Sequence, residues 1–444
     1  MEKKSKTISW FFLILSILFT FYVLFKSQIS WGGNKNDYYF QYYIFSGLLI
    51  FLSIISFYIS QEMNKNLLLL GFTILICFYL LEFIFSGSEK YLDISKKRED
   101  IFQKEYNKKY EKKTRWYYFK EQKRKNPNIR PIVPPYIYIN SDYELFPLSG
   151  FSNLETIYCN ELGFYSKYKS DKYGFRNENT LWDTKSVDFL MIGDSFGHGA
   201  CVSTENGIQK NLEKLWNQKK KILNLSYGGN GPLIEYATLK EYANDLEIKN
   251  ILWFFTEVND LVDLNLELTD SKLIKYLKNK NYSQNLSLNQ AKLNSQHEKM
   301  LQKRISDKKK NKITKIFKLS KIRTLIQHNP KIEKSNECTQ LPQKEFKEII
   351  DLTQNFATEK KSRLFFIYIP SYDRINNDVN YDKCYKAVID FINSKNIPLI
   401  DLYESFFKKE NDPFIYFPFK ERGHNNNLGY KKISEKIFNF IENY

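Results

Sequence analysis

Cysteine and histidine are scarce in this chain. Its 444 residues hold five cysteines (Cys77, Cys159, Cys201, Cys338 and Cys384) and four histidines. No two cysteines form a CxxC pair, and no His/Cys cluster has metal-ligand spacing. A zinc ribbon or finger is therefore excluded, and no metal or cofactor is implied. The net charge is +17, yet there is no recognition-helix or RNA-binding signature. The lysines are spread along the chain among Asn and Ile and read as solvated surface, so no nucleic-acid partner is expected. Internal repeats and paired intramembrane charges are also missing, which argues against a transporter. Apolar material is plentiful: aromatics make up 17% of the chain, enough to build a real core.

Three apolar runs lie within the first ninety residues, at 8–25, 43–60 and 67–85. Each has about the length that crosses a bilayer as a helix. The first follows MEKKSK but lacks a small-residue cleavage site, so it reads as a retained anchor. Glu82, near the end of the third run, is placed to reach the interface. Charge gives conflicting signs of orientation. Lys3, Lys4, Lys6 and Lys65 favour a cytoplasmic N-terminus, whereas Lys26, Lys35, Lys90, Lys96, Lys97 and Arg98 oppose it. The first helix usually dominates, and long domains translocate largely regardless of charge. The expectation is an N-terminus inside and a large domain outside.

The expected organisation is a three-helix anchor over 1–88, a basic juxtamembrane helix and linker over 89–150, and a large domain over 151–444. In the last part, short apolar runs at 187–192, 222–225, 251–256, 364–369 and 397–400 alternate with helical patterns. Strands that are apolar throughout predict a parallel sheet covered on both faces, with a site beyond its C-terminal strand ends. Residues 262–345 are polar and break this rhythm. They read as an inserted helical excursion, a cap over the site or plain surface, with His297 and His328 solvated within it.

Four short motifs fall at strand ends or before the last helix. Gly193-Asp194-Ser195 puts a serine on a tight strand-to-helix turn, where it can serve as nucleophile and its own N–H as an oxyanion donor. A glycine-rich turn, 224–232, contains Gly229 and lets backbone approach a ligand. Glu257-Val258-Asn259-Asp260 follows the third strand, and Asn259 can offer a side-chain N–H. Glu421-Arg422-Gly423-His424 precedes the final helix; His424 suits a general base, with Glu421 to orient it. His198 is too close in sequence to Ser195 to be the preferred base. Taken singly, each motif is weak.

In order and placement, however, these motifs resemble the blocks of the SGNH/GDSL hydrolase superfamily, with Ser195, Gly229, Asn259 and His424 in the four signature places. The resemblance covers about 187–260 and 364–441. It implies a flavodoxin-like three-layer α/β/α fold with a parallel sheet, here behind three transmembrane helices. It also implies an oxyanion hole from the N–H groups of Ser195 and Gly229 and the amide of Asn259. Glu257 stands where the pattern has glycine, and Glu421 where it has aspartate. The approach segment 170–182 resembles a subgroup with N-terminal membrane spans and hydrolase domains outside the cytoplasmic membrane.

The chain is thus expected to be a membrane-anchored serine ester hydrolase or acyl transferase, exoplasmic or periplasmic. It would act on a small acyl ester, acetyl in the first instance, of a glycan or related polymer. Tyr227, Trp253, Tyr372, Tyr416 and Phe417 lie near strand ends as candidate sugar-stacking faces. The alternative is a catalytically idle domain of the same type that binds glycan or tethers an envelope partner. In an oxidising compartment the four cysteines outside the spans can pair in three ways; the expected pairs are Cys159–Cys201 and Cys338–Cys384.

Overall fold

The computed structural model describes residues 6–33, 36–86, 91–92, 94–326, 342–376 and 382–444. His328 and Cys338, and with the latter the expected Cys338–Cys384 pair, lie outside them. The chain divides into two units: Met1–Ser88 with Asn311–His328, and Glu89–Lys310 with Asn329–Tyr444.

In the first unit, α1 (Thr7–Leu24), α2 (Asn36–Ile55) and α3 (Gln61–Ser86) supply three helices long and apolar enough to span a membrane. Serines line the α1–α2 seam, where their small size lets backbones approach. Ser9 Oγ donates to the Ser56 carbonyl at 3.0 Å, and Ser16 and Ser53 hydroxyls meet at 3.3 Å. Glu82 does not reach solvent. It is fully buried, and its carboxylate accepts the N–H groups of Lys321 and Ile322, each at 3.0 Å. A late segment of the chain therefore returns to the end of α3.

The second unit is built on a five-stranded sheet of order β5-β4-β6-β7-β8. Its strands are β4 (Ser186–Gly193), β5 (Ile222–Asn224), β6 (Glu247–Thr256), β7 (Arg363–Ile369) and β8 (Leu399–Asp401). All pairs are parallel, so the order within the sheet is 2-1-3-4-5, the flavodoxin-like doubly wound arrangement. The strands are apolar along their length because helices cover both faces. One face packs α7 (Pro232–Tyr242), α12 (Lys344–Glu359) and α14 (Asp382–Ser394) over Leu190, Trp253 and Phe366; the other packs α6 (Ile208–Leu215) and α16 (Asn427–Glu442) over Met191, Phe254 and Phe365. Two single-turn helices, α13 (Tyr372–Ile375) and α15 (Leu402–Ser405), follow β7 and β8.

The stretch expected to be a juxtamembrane helix and linker is part of this unit. α4 (Lys96–Tyr106) starts on Ser95, whose side chain accepts from Arg98 N, and buries Phe102; α5 (Arg115–Lys125) buries Phe119. A second, three-stranded sheet follows: β1 (Ile129–Pro131) runs parallel to β2 (Glu155–Ile157), which pairs antiparallel with β3 (Lys167–Lys169). The polar insertion also contributes core. It holds α8 (Asp260–Glu267), α9 (Ser271–Lys278) and α10 (Gln290–Phe317). Leu273, Tyr276, Leu286 and Leu293 there are fully buried. Its last helix, α11 (Ser320–Ile326), belongs to the membrane unit.

His297 is likewise buried rather than solvated. Its Nδ1 accepts from the Tyr138 hydroxyl at 2.7 Å, and burial pushes its pKa down to about 3. The local composition is polar, but tertiary packing decides the burial. The same holds for four of the five aromatics expected to stack on sugars. Tyr227, Trp253, Tyr416 and Phe417 are core side chains, and only Tyr372 is part-exposed.

Candidate active site

β4 ends in Gly193, with φ +156 and no room for a side chain: a Cβ there would lie 2.8 Å from that of Phe254. The chain turns sharply and presents Ser195, which is part-exposed. Asp194, fully buried beneath it, fixes the turn. Its carboxylate accepts from Phe196 N at 2.8 Å, Thr256 Oγ1 at 3.0 Å and Asn259 Nδ2 at 3.1 Å.

The loop before α16 brings in His424, whose Nε2 lies 2.8 Å from Ser195 Oγ. Its other ring nitrogen, Nδ1, lies 2.8 Å from Glu161 Oε1, and its backbone N–H donates to Glu161 Oε2 at 2.7 Å. The carboxylate on Nδ1 assigns the proton to that nitrogen and leaves Nε2 free to accept from the serine hydroxyl. Burial alone would lower the His424 pKa; the charge and hydrogen bond of Glu161 outweigh it, and the pKa is raised above 6.5. Glu161 is shifted the opposite way: burial pushes it up, but His424 and then Arg98 hold it below its ordinary value.

The carboxylate bonded to the imidazole is thus Glu161, in the loop after β2, where Glu421 was expected. Glu421 pairs instead with Arg98 of α4. A further tie draws Glu161 into place. Cys159, two residues before it, forms a disulfide with Cys201 in the segment after Ser195, as expected from sequence. Cys201 Sγ lies 3.8 Å from His424 Nδ1. Among the described residues Glu161, Cys201 and His424 are the one acid/His/Cys group close enough to share a metal ion. The disulfide leaves Cys201 without a thiolate, and the other two are bonded to each other, so the group does not suit a metal.

Gly229 adopts φ +84, in the turn whose Tyr227 N–H donates to the Gly193 carbonyl at 3.0 Å. Glu267 secures its turn by accepting from Gly231 N at 2.6 Å and Leu233 N at 2.9 Å. Among the described residues, the N–H groups of Ser195 and Gly229 donate to no other backbone group. Asn259 differs. Its Nδ2 donates to Asp194 and also to Asp263 Oδ2 at 2.9 Å, so both amide hydrogens are engaged. The opposite orientation of the amide would set its oxygen against two carboxylates. Burial raises Asp263 to about 6. Asn259 therefore braces the Asp194 turn and reaches an oxyanion only by giving up a carboxylate.

The departure at Glu257 has a structural cause: its carboxylate accepts from Ser371 N at 2.9 Å and from Arg374 Nε at 2.6 Å, locking β6 to the turn after β7. His198 is buried among Tyr158, Tyr168 and Tyr227, and burial, then Arg176, holds its pKa well below the usual value. It stays neutral and does not approach Ser195 as a base.

In strand order, and in the residues at its strand ends, the unit resembles the SGNH/GDSL arrangement. No family model matches the sequence, and no curated protein matches it. Several solved structures resemble it in part. A member of the lipolytic G-D-S-L family from Veillonella parvula shares 12% identity over 58% of this chain and 99% of its own, with a TM-score of 0.32. The lipase/acylhydrolase from Enterococcus faecalis shares 10% over 58% and 96%, with a TM-score of 0.33. An acetyl xylan esterase shares 10% over 57% and 98%, with a TM-score of 0.33.

Proposed function

We propose that this protein is a membrane-anchored serine ester hydrolase or acyl transferase that works on a small acyl ester, acetyl in the first instance, of an extracytoplasmic glycan. The observation that carries the chemistry is the unbroken relay from Glu161 through His424 to Ser195. Ser195 Oγ attacks the ester carbonyl while His424 Nε2 takes its proton. Negative charge forms on the carbonyl oxygen, and the N–H groups of Ser195 and Gly229 receive it. The imidazolium, stabilised by Glu161, protonates the departing alcohol. An acyl-serine remains, and water or a sugar hydroxyl, deprotonated by the same Nε2, then carries the acyl group away.

The Cys159–Cys201 bridge supports an oxidising compartment for this unit, and the three apolar helices hold it at a membrane. Labelling by a fluorophosphonate probe, compared between wild type and Ser195→Ala, tests the nucleophile. An unlabelled wild type would favour the idle, glycan-binding reading. Nitrophenyl esters of increasing chain length, with acetate release from acetylated glycan, test the acyl group. A preference for eight or more carbons, with no acetate released, would overturn the acetyl assignment.

A further inference from the structure

A cavity of about 500 Å³ opens at the Glu161 end of the relay, within the same unit; Glu161 is the relay residue that lines it. Glu161 forms part of one wall, Pro134 and Tyr136 part of another, and Arg115, Trp116 and Arg304 also line it. It adjoins the oxyanion turn as well as the triad: a Cβ on Gly229 would lie 2.7 Å from the Tyr136 ring and 3.1 Å from Pro134. A substrate whose ester carbonyl sits at Ser195 and Gly229 has this cavity as its neighbouring space.

The charge of the lining is distinctive. Arg115 and Arg304 are exposed, and among the described residues neither has an ion-pair or hydrogen-bond partner. Glu161 is the single acid among the described lining residues, and it is bonded to His424. Two free guanidiniums thus face the cavity with no free counter-charge. The half-exposed Tyr136 ring and Trp116 add flat apolar faces that suit sugar rings. A lipid chain in this space would desolvate both guanidiniums without pairing either, which is unfavourable. An anionic saccharide would pair them in the bidentate geometry that guanidinium favours.

We infer that this cavity is the polymer subsite of the active site, and that it selects a glycan carrying an anion, a carboxylate or a phosphodiester, on the unit next to the acyl ester. The inference rests on the esterase or transferase reading above. The test uses the full chain in detergent and compares kcat/KM for acetylated oligouronate, acetylated glycerol-phosphate oligomer and acetylated neutral oligoxylan.

Wild type should prefer one anionic substrate to the neutral one, and the preference should shrink as ionic strength rises. The double variant Arg115→Gln/Arg304→Gln should reduce the anionic-to-neutral ratio by about tenfold or more per arginine. Arg115→Lys/Arg304→Lys should restore part of it. Whichever anionic arm carries the preference identifies the group. An equal ratio in wild type and the glutamine variant, or a wild-type preference for oligoxylan, would overturn the inference.

Should the chain turn over no ester and take no fluorophosphonate, the esterase reading fails by itself. Calorimetric binding of the unesterified oligomers then decides the subsite: tighter binding of an anionic oligomer by wild type than by the glutamine variant supports it, and equal binding refutes it.

Discussion

Replacing Glu161 by glutamine separates the two candidate orienting acids. Glu161 makes two charge-assisted bonds to His424, at Nδ1 and at the backbone N–H, each under 3 Å, and its side chain is about a quarter exposed at 26%. Hydrogen bonds to charged groups contribute about 1.5–3 kcal/mol each. Glutamine keeps one acceptor oxygen but loses the charge and the other acceptor, which puts the barrier up by about 1.5–6 kcal/mol, or about 10–10⁴ in kcat at 1.36 kcal/mol per tenfold. Removing the orienting acid of other serine hydrolases costs about 10⁴, so the estimate sits in the right range. Glu421, by contrast, belongs to a part-exposed pair with Arg98, and such pairs contribute about 0.2–1 kcal/mol. Glu421→Gln should therefore cost less than about tenfold.

Initial rates on nitrophenyl acetate measure both variants. The pH profile supplies an independent sign. Activity needs neutral His424, so it is lost as pH falls through a pKa that Glu161 holds above 6.5. In Glu161→Gln the larger raising charge is gone, and only Asp194 still opposes the burial that lowers the pKa; the acid limb should move to lower pH even as kcat falls. Loss confined to Glu421→Gln, or an acid limb that stays in place in Glu161→Gln, would refute the assignment.

Other outcomes follow from the same geometry. Gly229→Val must place a side chain into the Tyr136 ring at a positive φ, so the turn shifts and kcat should fall by about 10²–10³, the cost of one lost oxyanion donor; unchanged kcat would argue that Gly229 N–H is not used. The Cys159–Cys201 bridge closes a 42-residue separation, for which chain entropy gives about 4 kcal/mol; reduction should lower the melting temperature and the activity together. These two cysteines should also resist maleimide in native membranes, and free thiols there would place the unit in the cytoplasm. A fragment beginning at residue 131 lacks the buried Phe102 and Phe119, worth about 3–5 kcal/mol each, and should melt well below one beginning at residue 94 by circular dichroism. Equal melting would show that α4 and α5 are dispensable.

The five strands of the main sheet were legible because burial on both faces makes them continuous apolar runs, as in 187–192 and 364–369. Ser195, Gly229, Asn259 and His424 were singled out because each sits at a strand end or in the loop before the last helix, in the order the family resemblance implies. The structure brings Ser195 and His424 into contact and ties Asn259 to Asp194, the residue before Ser195, although the amide of Asn259 faces carboxylates. Glu161 escaped because it lies in a loop of the small β1-β2-β3 sheet, whose three-residue strands are too short for any periodicity to register. One signal did exist. The expected Cys159–Cys201 pairing puts residue 159 against the segment after Ser195, and a carboxylate two residues further on was the natural candidate. Burial in the polar insertion was illegible for a different reason: His297 and Tyr276 lie among lysines and asparagines, and only long-range packing identifies their face as interior.

The return of α11 to Glu82 makes the anchor discontinuous in the gene. The chain passes between the two units three times, near residues 88, 310 and 328, so the second unit is moored by more than one line. A protease that cuts between α3 and α4 should leave it in the membrane pellet, still held through α11; shedding needs further cuts at the other passages. Chimeras face the same rule. An anchor exchanged by a single fusion near residue 88 removes Glu82 and strands the N–H groups of Lys321 and Ile322, so a working exchange has to carry 311–328 along with the N-terminal helices.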